Sequence, residues 1–183
     1  SLAMHLSYGA VQRVLTLDHL IEQASGREVA KIDAPLLAAL RLGCYELCFA
    51  GRAPHAVVND AVELAKAAHG HALVNAVLRR ISREGAALLG ALRDEDPAGA
   101  SIAHSMPLWI VERWWETLGA EATRGLLARC NEPAESSLRA NTLRTDRPAL
   151  VASLAALGVK AVGAEEPPEA VVALDSFDAH GSA

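Results

Sequence analysis

Apolar residues recur at helical spacing along the first half of the chain. Val14, Leu17, Ile21 and Ala24 are separated by three or four residues, and Ser-Gly-Arg-Glu follows them. This spacing predicts an amphipathic helix that ends near residue 25.

Two further stretches carry the same pattern. In 33–51, Asp33 is a suitable N-cap, Pro35 lies in the first turn and Gly51 is a suitable terminator. A third helix is predicted within 53–70, with Gly70 at its end. The predicted inner positions of these two helices are Leu37, Leu40, Cys44, Leu47, Cys48, Val58, Ala61, Val62 and Ala65.

The segment 74–84 separates its apolar and cationic residues onto two sides of a predicted helix. At about 100° per residue, one side collects Val74, Val77, Leu78 and Ile81. The opposite side collects Arg79, Arg80 and Arg83. Because arginine binds phosphate bidentately, this face is a candidate RNA contact, although three clustered arginines more often form only a solvated surface. We expect the nearby Asn59 and Asn75 to hold loop or interhelix geometry through hydrogen bonds.

The second half of the chain predicts mixed elements. A helix over 107–119 begins at Pro107 and ends at Gly119, and a shorter helix follows over 120–130. The inner face of the 107–119 helix is Val111, Trp114, Trp115 and Leu118, so its tryptophans are predicted to fill a small core rather than to stack on bases. Then come a strand within 136–145, a helix capped by Asp146, and two strands within 159–163 and 169–174.

The acidic segment around Pro97 contains proline and glycine and has no periodicity, so it predicts a domain boundary. The predicted domains are an all-helical bundle over 1–95 and a small α+β domain over 96–183. The predicted fold class is therefore mainly α.

Composition and charge narrow the possible functions. The chain is 51% hydrophobic with a net charge of −5, which by itself argues against a nucleic-acid binder. The residues up to Arg93 carry a net charge of +2, however, and the remaining residues carry a net charge of −7. No apolar run reaches the ~18–20 residues that span a bilayer, and the N-terminus is not of the signal-peptide type. These features predict a cytoplasmic protein without a membrane partner.

The three cysteines predict neither a disulfide framework nor a zinc site. Cys44 and Cys48 lie four residues apart on an apolar helix face, where thiols are poorly activated. Cys130 stands alone, and the His69/His71 pair flanks a glycine. We therefore interpret Cys44 and Cys48 as small buried side chains.

The sequence resembles one known family over nearly its whole length. Residues 8–21, 36–66 and 71–81 resemble the NusB-like domain at the front of the bacterial RsmB (Sun/Fmu) small-subunit rRNA cytosine-C5 methyltransferases. Residues 104–159 resemble the segment that precedes the methyltransferase domain in those enzymes. The family pattern there runs Ser-x-Pro-x-Trp, Asn-x-Pro and Leu-Arg-x-Asn-Thr-Leu. It is matched by Ser105, Pro107, Trp109, Asn131, Pro133, Leu138, Arg139, Asn141, Thr142 and Leu143.

The resemblance implies a non-catalytic region that recruits structured rRNA to an S-adenosylmethionine-dependent methyltransferase domain. It implies that further NusB-like helices precede Tyr8 and that the methyltransferase domain follows residue 183. Enzymes of the family attack cytosine C6 with a thiolate of a Pro-Cys or Thr-Cys-Ser motif. Neither motif nor a Gly-x-Gly-x-x-Gly run occurs in this chain. We therefore predict no catalytic residue, metal or cofactor in the chain itself, and S-adenosylmethionine in the missing domain.

The predicted RNA-binding residues are Arg79, Arg80, Arg83, Arg139, Arg144 and Arg147. An equal alternative is that Arg139 and Asn141 hold the second domain against the missing methyltransferase domain. Two other functions stay open for the chain as a whole. It is either a NusB-like transcription antitermination or protein-interaction module, or a purely structural domain that orients the catalytic domain.

Overall fold

The computed structural model describes residues 2–132 and 136–175. Pro133 of the family pattern and the tail from residue 176 lie outside the described residues. The chain divides after Asn131 into two compact units, which we call the helical unit and the αβ unit. The predicted fold class, a helical bundle followed by a small mixed domain, is confirmed.

The helical unit is built from successive short and medium helices. In chain order they are α1 (Leu2–Gln12), α2 (Val14–Ser25), α3 (Ala34–Cys48), α4 (Pro54–Ala65), α5 (His71–Gly90), α6 (Pro97–His104), α7 (Leu108–Leu118) and α8 (Ala120–Cys130). Among the described residues, none of these helices combines the length and apolarity that a membrane span requires.

Helix α5 lies at the centre of the main core. Its buried residues pack with those of α2, α3 and α4, and Leu78 is fully buried. Helix α3 lies close to it, because Gly43 of α3 presents no side chain to Leu78. The apolar spacings that predict α2 to α5 are confirmed. Asp33 stands at the predicted N-cap of α3, but its side chain makes no capping hydrogen bond.

The segment around Pro97, which the sequence predicts to be unpatterned, is helical. Helix α6 follows Asp96, whose carboxylate accepts a hydrogen bond from the Gly99 amide at 2.8 Å. Proline fits the first turn because an N–H at that position has no acceptor within the helix. The Asp-Pro pair that resembles a break is thus a helix start.

Helices α6 to α8 belong to the helical unit. The Thr16 hydroxyl of α2 donates to the Ile102 carbonyl at 2.6 Å, and the Leu15 amide donates to the Ser105 hydroxyl at 3.0 Å. The Asn131 side chain donates to the His104 carbonyl at 2.7 Å. Ser105 and Asn131 of the family pattern therefore tie these helices together. The compact unit extends beyond the predicted division at residue 95.

A small second core joins α6, α7 and α8. Ala100, Val111 and Leu127 are fully buried, and Trp114 and Trp115 pack partly buried against them. The prediction that the tryptophans fill a small core is confirmed for these two and wrong for Trp109, which is 71% exposed. The prediction for Leu118 is wrong, because this residue is 49% exposed at the last position of α7 before the turn at Gly119.

The αβ unit contains β1 (Ser136–Arg139), α9 (Arg147–Ala156), β2 (Ala161–Gly163) and β3 (Ala170–Ala173). The predicted order of strand, helix, strand and strand is confirmed. The strands form an antiparallel sheet in the order β1-β3-β2, with Ala173 opposite both Ser136 and Ala161. Asp146 caps α9 as predicted, because its carboxylate accepts from the Ala149 amide at 2.8 Å.

Candidate nucleic-acid interface

The outer face of α5 carries the first three arginines predicted to bind RNA. Val74, Val77, Leu78 and Ile81 are buried, whereas Arg79, Arg80 and Arg83 are exposed. The two sides of the helix are separated as the spacing predicts.

The three guanidinium groups have different surroundings. Arg80 is held toward α2, since it donates to the Glu84 carboxylate at 2.8 Å and to the Ala24 carbonyl at 3.3 Å. Arg79 donates its Nε–H to Asn75 Oδ1 at 3.0 Å, which leaves its terminal N–H groups available. The guanidinium of Arg83 makes no hydrogen bond or ion pair within the described part of the chain. Of the three arginines on α5, Arg79 and Arg83 are therefore the two whose N–H donors are available to a ligand.

A pocket of about 420 Å³ lies between α4 and α5, with Arg79 on its wall. Two helical stripes of residues line it. Helix α4 contributes Pro54, His55, Val58, Asn59 and Val62, and α5 contributes Asn75, Arg79 and Ser82. Apolar side chains and polar groups thus share one concave surface beside the arginine face.

The start of α4 is fixed by an ion-pair network. Arg52, in the connection before α4, pairs with the largely buried Glu46 of α3 and with Asp60 of α4 at 3.3 Å. Because one guanidinium joins both helices, α4 is held in register with α3. The pocket stripe of α4 lies on the same short helix.

Sequence reasoning misses the pocket and misassigns its asparagines. Asn75 accepts from Arg79 on its own helix rather than from a loop. Asn59 is exposed and makes no side-chain hydrogen bond among the described residues. Both amides instead line the pocket. The only early signal is that residues 55 and 59 share one side of α4, and 75, 79 and 82 share one side of α5.

Two of the three predicted arginines of the αβ unit already bind groups of that unit. Arg139 is exposed but ion-paired with Glu169, and Arg147 donates to the Ala164 carbonyl at 2.9 Å while packing against Gly163. Asn141 accepts from the Leu143 amide at 3.2 Å and so stabilises a turn. Of the three predicted arginines of this unit, Arg144 alone is exposed and has a guanidinium without a partner in the described residues.

The thiols of Cys44 and Cys48 influence each other within α3. The interaction with Cys48 raises the pKa of the Cys44 thiol, with burial adding to the rise, and the interaction with Cys44 lowers the pKa of Cys48. The sequence expectation of a poorly activated thiol fits Cys44, whereas the shift at Cys48 has the opposite direction. Within the described ranges, no three metal-ligating side chains cluster.

Two family models match the chain. Residues 1–83 match the NusB family, and residues 106–179 match the model described as Methyltr_RsmF/B-like, ferredoxin-like domain. Together they cover the α5 face and the whole sheet.

Curated relatives carry both regions in the same order. The chain is 36% identical over 84% of its length to the probable ribosomal RNA small subunit methyltransferase B of Synechocystis. It is 32% identical over 87% of its length to the probable protein of that name in Bacillus subtilis. The chain spans about a third of these relatives, 35% and 36% of their lengths.

Other similarities cover single domains or the fold. The transcription antitermination protein NusB of Nitrosococcus oceani is 36% identical over 42% of the chain and 54% of its own length. The solved structure named Crystal Structure of PH0851 superposes over 97% of this chain and 40% of its own, with a TM-score of 0.60 and 18% identity. At that identity the superposition shows a shared fold.

Proposed function

Because the chain belongs to the ribosomal RNA small subunit methyltransferase B family, whose N-terminal region it matches, we propose that it binds structured ribosomal RNA. In this proposal the region performs no chemistry. It presents the RNA to a methyltransferase domain of the same protein, which is its second partner.

The observation that carries the proposal is the exposed arginine side of α5. The whole chain has a net charge of −5, so attraction to phosphate must come from a local surface. Arg79 and Arg83 supply unengaged guanidinium donors one turn apart, and Arg80 adds charge while bound to Glu84. A guanidinium binds two phosphate oxygens at once, which makes such a face suitable for an RNA backbone.

In the αβ unit, Arg144 is the residue proposed to contact RNA phosphate. Arg139 and Arg147 were predicted as phosphate contacts as well, but both already bind groups of their own unit. We therefore rank Arg144, next to the 94% exposed Leu143, first among these three.

The described residues do not fit S-adenosylmethionine. Sites for that cofactor in this family follow a strand with a glycine-rich loop, whereas β1 leads into a turn held by Asn141 and then to the Asp146 cap. We assign the cofactor to a part of the protein beyond the region matched here.

A salt titration of RNA binding tests the proposal. Fluorescence anisotropy with a labelled small-subunit rRNA hairpin gives the affinity at several salt concentrations. The variant with Arg79, Arg80 and Arg83 all changed to Ala should bind more weakly. Each lost phosphate contact should reduce the slope of log K against log salt by about 0.7–0.9.

A charge-matched variant provides the control. It replaces three arginines of the helical unit that lie outside α5, namely Arg27, Arg113 and Arg124. We expect its affinity and salt slope to stay near those of the parent chain. Equal losses in both triple variants, or no loss in either, would contradict a role for the α5 face. Capture of a protein with no RNA dependence would favour the antitermination-like alternative.

A further inference from the structure

We infer that the pocket between α4 and α5 takes one unpaired nucleotide of the bound RNA, with its base inside and its phosphate on Arg79. This inference rests on the proposed RNA binding by α5 and adds a recognition element to it.

The position of the pocket on α5 supports the inference. At about 100° per residue, Asn75, Arg79 and Ser82 form a stripe between the core side of the helix and Arg83. Arg79 is thus shared by the pocket wall and the arginine face. A backbone that follows the arginine face passes the mouth of the pocket, so one nucleotide can turn inward without leaving Arg79.

The lining matches the two parts of a nucleotide. Val58, Val62 and Pro54 offer an apolar surface for the face of a base, and His55 offers a ring on which a base can stack. The volume of about 420 Å³ lies within the ~300–1,000 Å³ range typical of small-molecule pockets. A base pair in a duplex cannot enter a pocket from the side, so the nucleotide must be unpaired.

The amides predict which base is preferred. Asn59 makes no side-chain hydrogen bond among the described residues, so its donor and acceptor are both available. That pair matches the N6 amino group and N7 of adenine, the usual partner of an asparagine side chain. Asn75 already accepts one hydrogen bond from Arg79, whereas its two N–H groups make no hydrogen bond among the described residues. We expect a preference for adenosine over uridine, because the larger purine also stacks over more of His55 and the apolar lining.

The test compares RNAs that differ in a single nucleotide. One hairpin carries a bulged adenosine, a second carries a bulged uridine at the same place, and a third is fully paired. For the parent chain at one fixed salt concentration, we expect the bulged adenosine to bind tighter than the paired hairpin by on the order of tenfold.

Two apolar substitutions separate the pocket from the rest of the surface. Asn59→Leu keeps the size of the side chain and removes its amide, so the ratio of affinities should fall toward one. Gln23→Leu removes an exposed amide of α2 and should leave that ratio unchanged. Neither substitution removes a charge, so both variants should keep the parental salt slope.

The outcomes distinguish this inference from the proposed function. Equal affinity of the parent chain for bulged and paired hairpins overturns the pocket assignment, even if the triple arginine variant still loses binding. A preference that survives Asn59→Leu overturns it as well. Asn59-dependent binding of free adenosine monophosphate, without any preference among hairpins, would show that RNA is not the source of the nucleotide.

Discussion

The close packing of α3 against α5 depends on a glycine, and one added methyl group tests it. Gly43 is buried in the middle of α3, and a Cβ atom there would lie 2.6 Å from Cδ1 and 3.1 Å from Cδ2 of Leu78. Leu78 is 0% exposed, so its methyl groups are surrounded by other core atoms. We expect Gly43→Ala to lower the free energy of unfolding, although alanine is the better helix former.

Two opposing effects set the size of the change. Alanine in place of glycine in a helix interior stabilises by roughly 0.5–1 kcal/mol. Forcing an extra carbon into a packed core costs about 1–3 kcal/mol. Gly125 supplies the matched control, because it lies within α8 and a Cβ there meets no atom within 4 Å. The difference between Gly43→Ala and Gly125→Ala therefore isolates the packing cost, about 1–3 kcal/mol.

Urea denaturation followed by far-ultraviolet circular dichroism measures both variants. Gly125→Ala should be more stable than the parent, and Gly43→Ala less stable. Adding Leu78→Val to Gly43→Ala should recover part of the loss, with a coupling of about 0.5–3 kcal/mol in the double-mutant cycle. If Gly43→Ala stabilises as much as Gly125→Ala, α3 and α5 do not approach as closely as described.

Three further predictions concern individual polar side chains. Thr16→Val should reduce the hydrogen-exchange protection of α6 by about 1–3 kcal/mol, because the Ile102 carbonyl loses its donor, whereas Thr16→Ser should retain most of it. Asp146→Ala should lower the thermal stability of the αβ unit by about 1 kcal/mol and Asp146→Asn by much less, so equal losses would argue against capping. The pKa of Glu169 is lowered by a backbone hydrogen bond and by Arg139. Its stabilisation is therefore present above the ordinary carboxyl pKa and is lost as pH falls through the lowered value. Glu169→Gln should flatten the acid side of the pH–stability curve, and an unchanged curve would refute this.

The sequence predicts most of the helical unit because its main helices bury a regular apolar stripe. It does not predict α1, whose buried residues are Gly9 and Ala10. It also misinterprets α6, whose buried residues are Ala100 and Ser101. Small buried residues give little hydrophobic contrast along a helix. Such helices are recognised from their partners, and those partners are distant in sequence.

Only the arginine face of the candidate site was predictable from the sequence. The arginines of α5 follow from the period of one helix. The pocket requires α4 and α5 to face each other, and that depends on contacts such as the Arg52 bridge between Glu46 and Asp60. The expectation that a hydrogen bond of Asn59 holds loop or interhelix geometry was wrong for the same reason, since spacing within α4 does not reveal what lies opposite.

Two hydrogen bonds join α2 to the end of α6 and to the residue that follows it. They determine where this chain can be joined to another protein without losing a buried contact. The match to the NusB family ends at residue 83, yet Thr16 and Leu15 find their partners at Ile102 and Ser105. A chimera joined after residue 83 leaves the fully buried Thr16 hydroxyl without its acceptor, whereas one joined after Asn131 transfers it intact. A chimera joined at the family boundary therefore needs a new acceptor for Thr16 or an apolar residue in its place, because the matched region and the compact unit end at different residues.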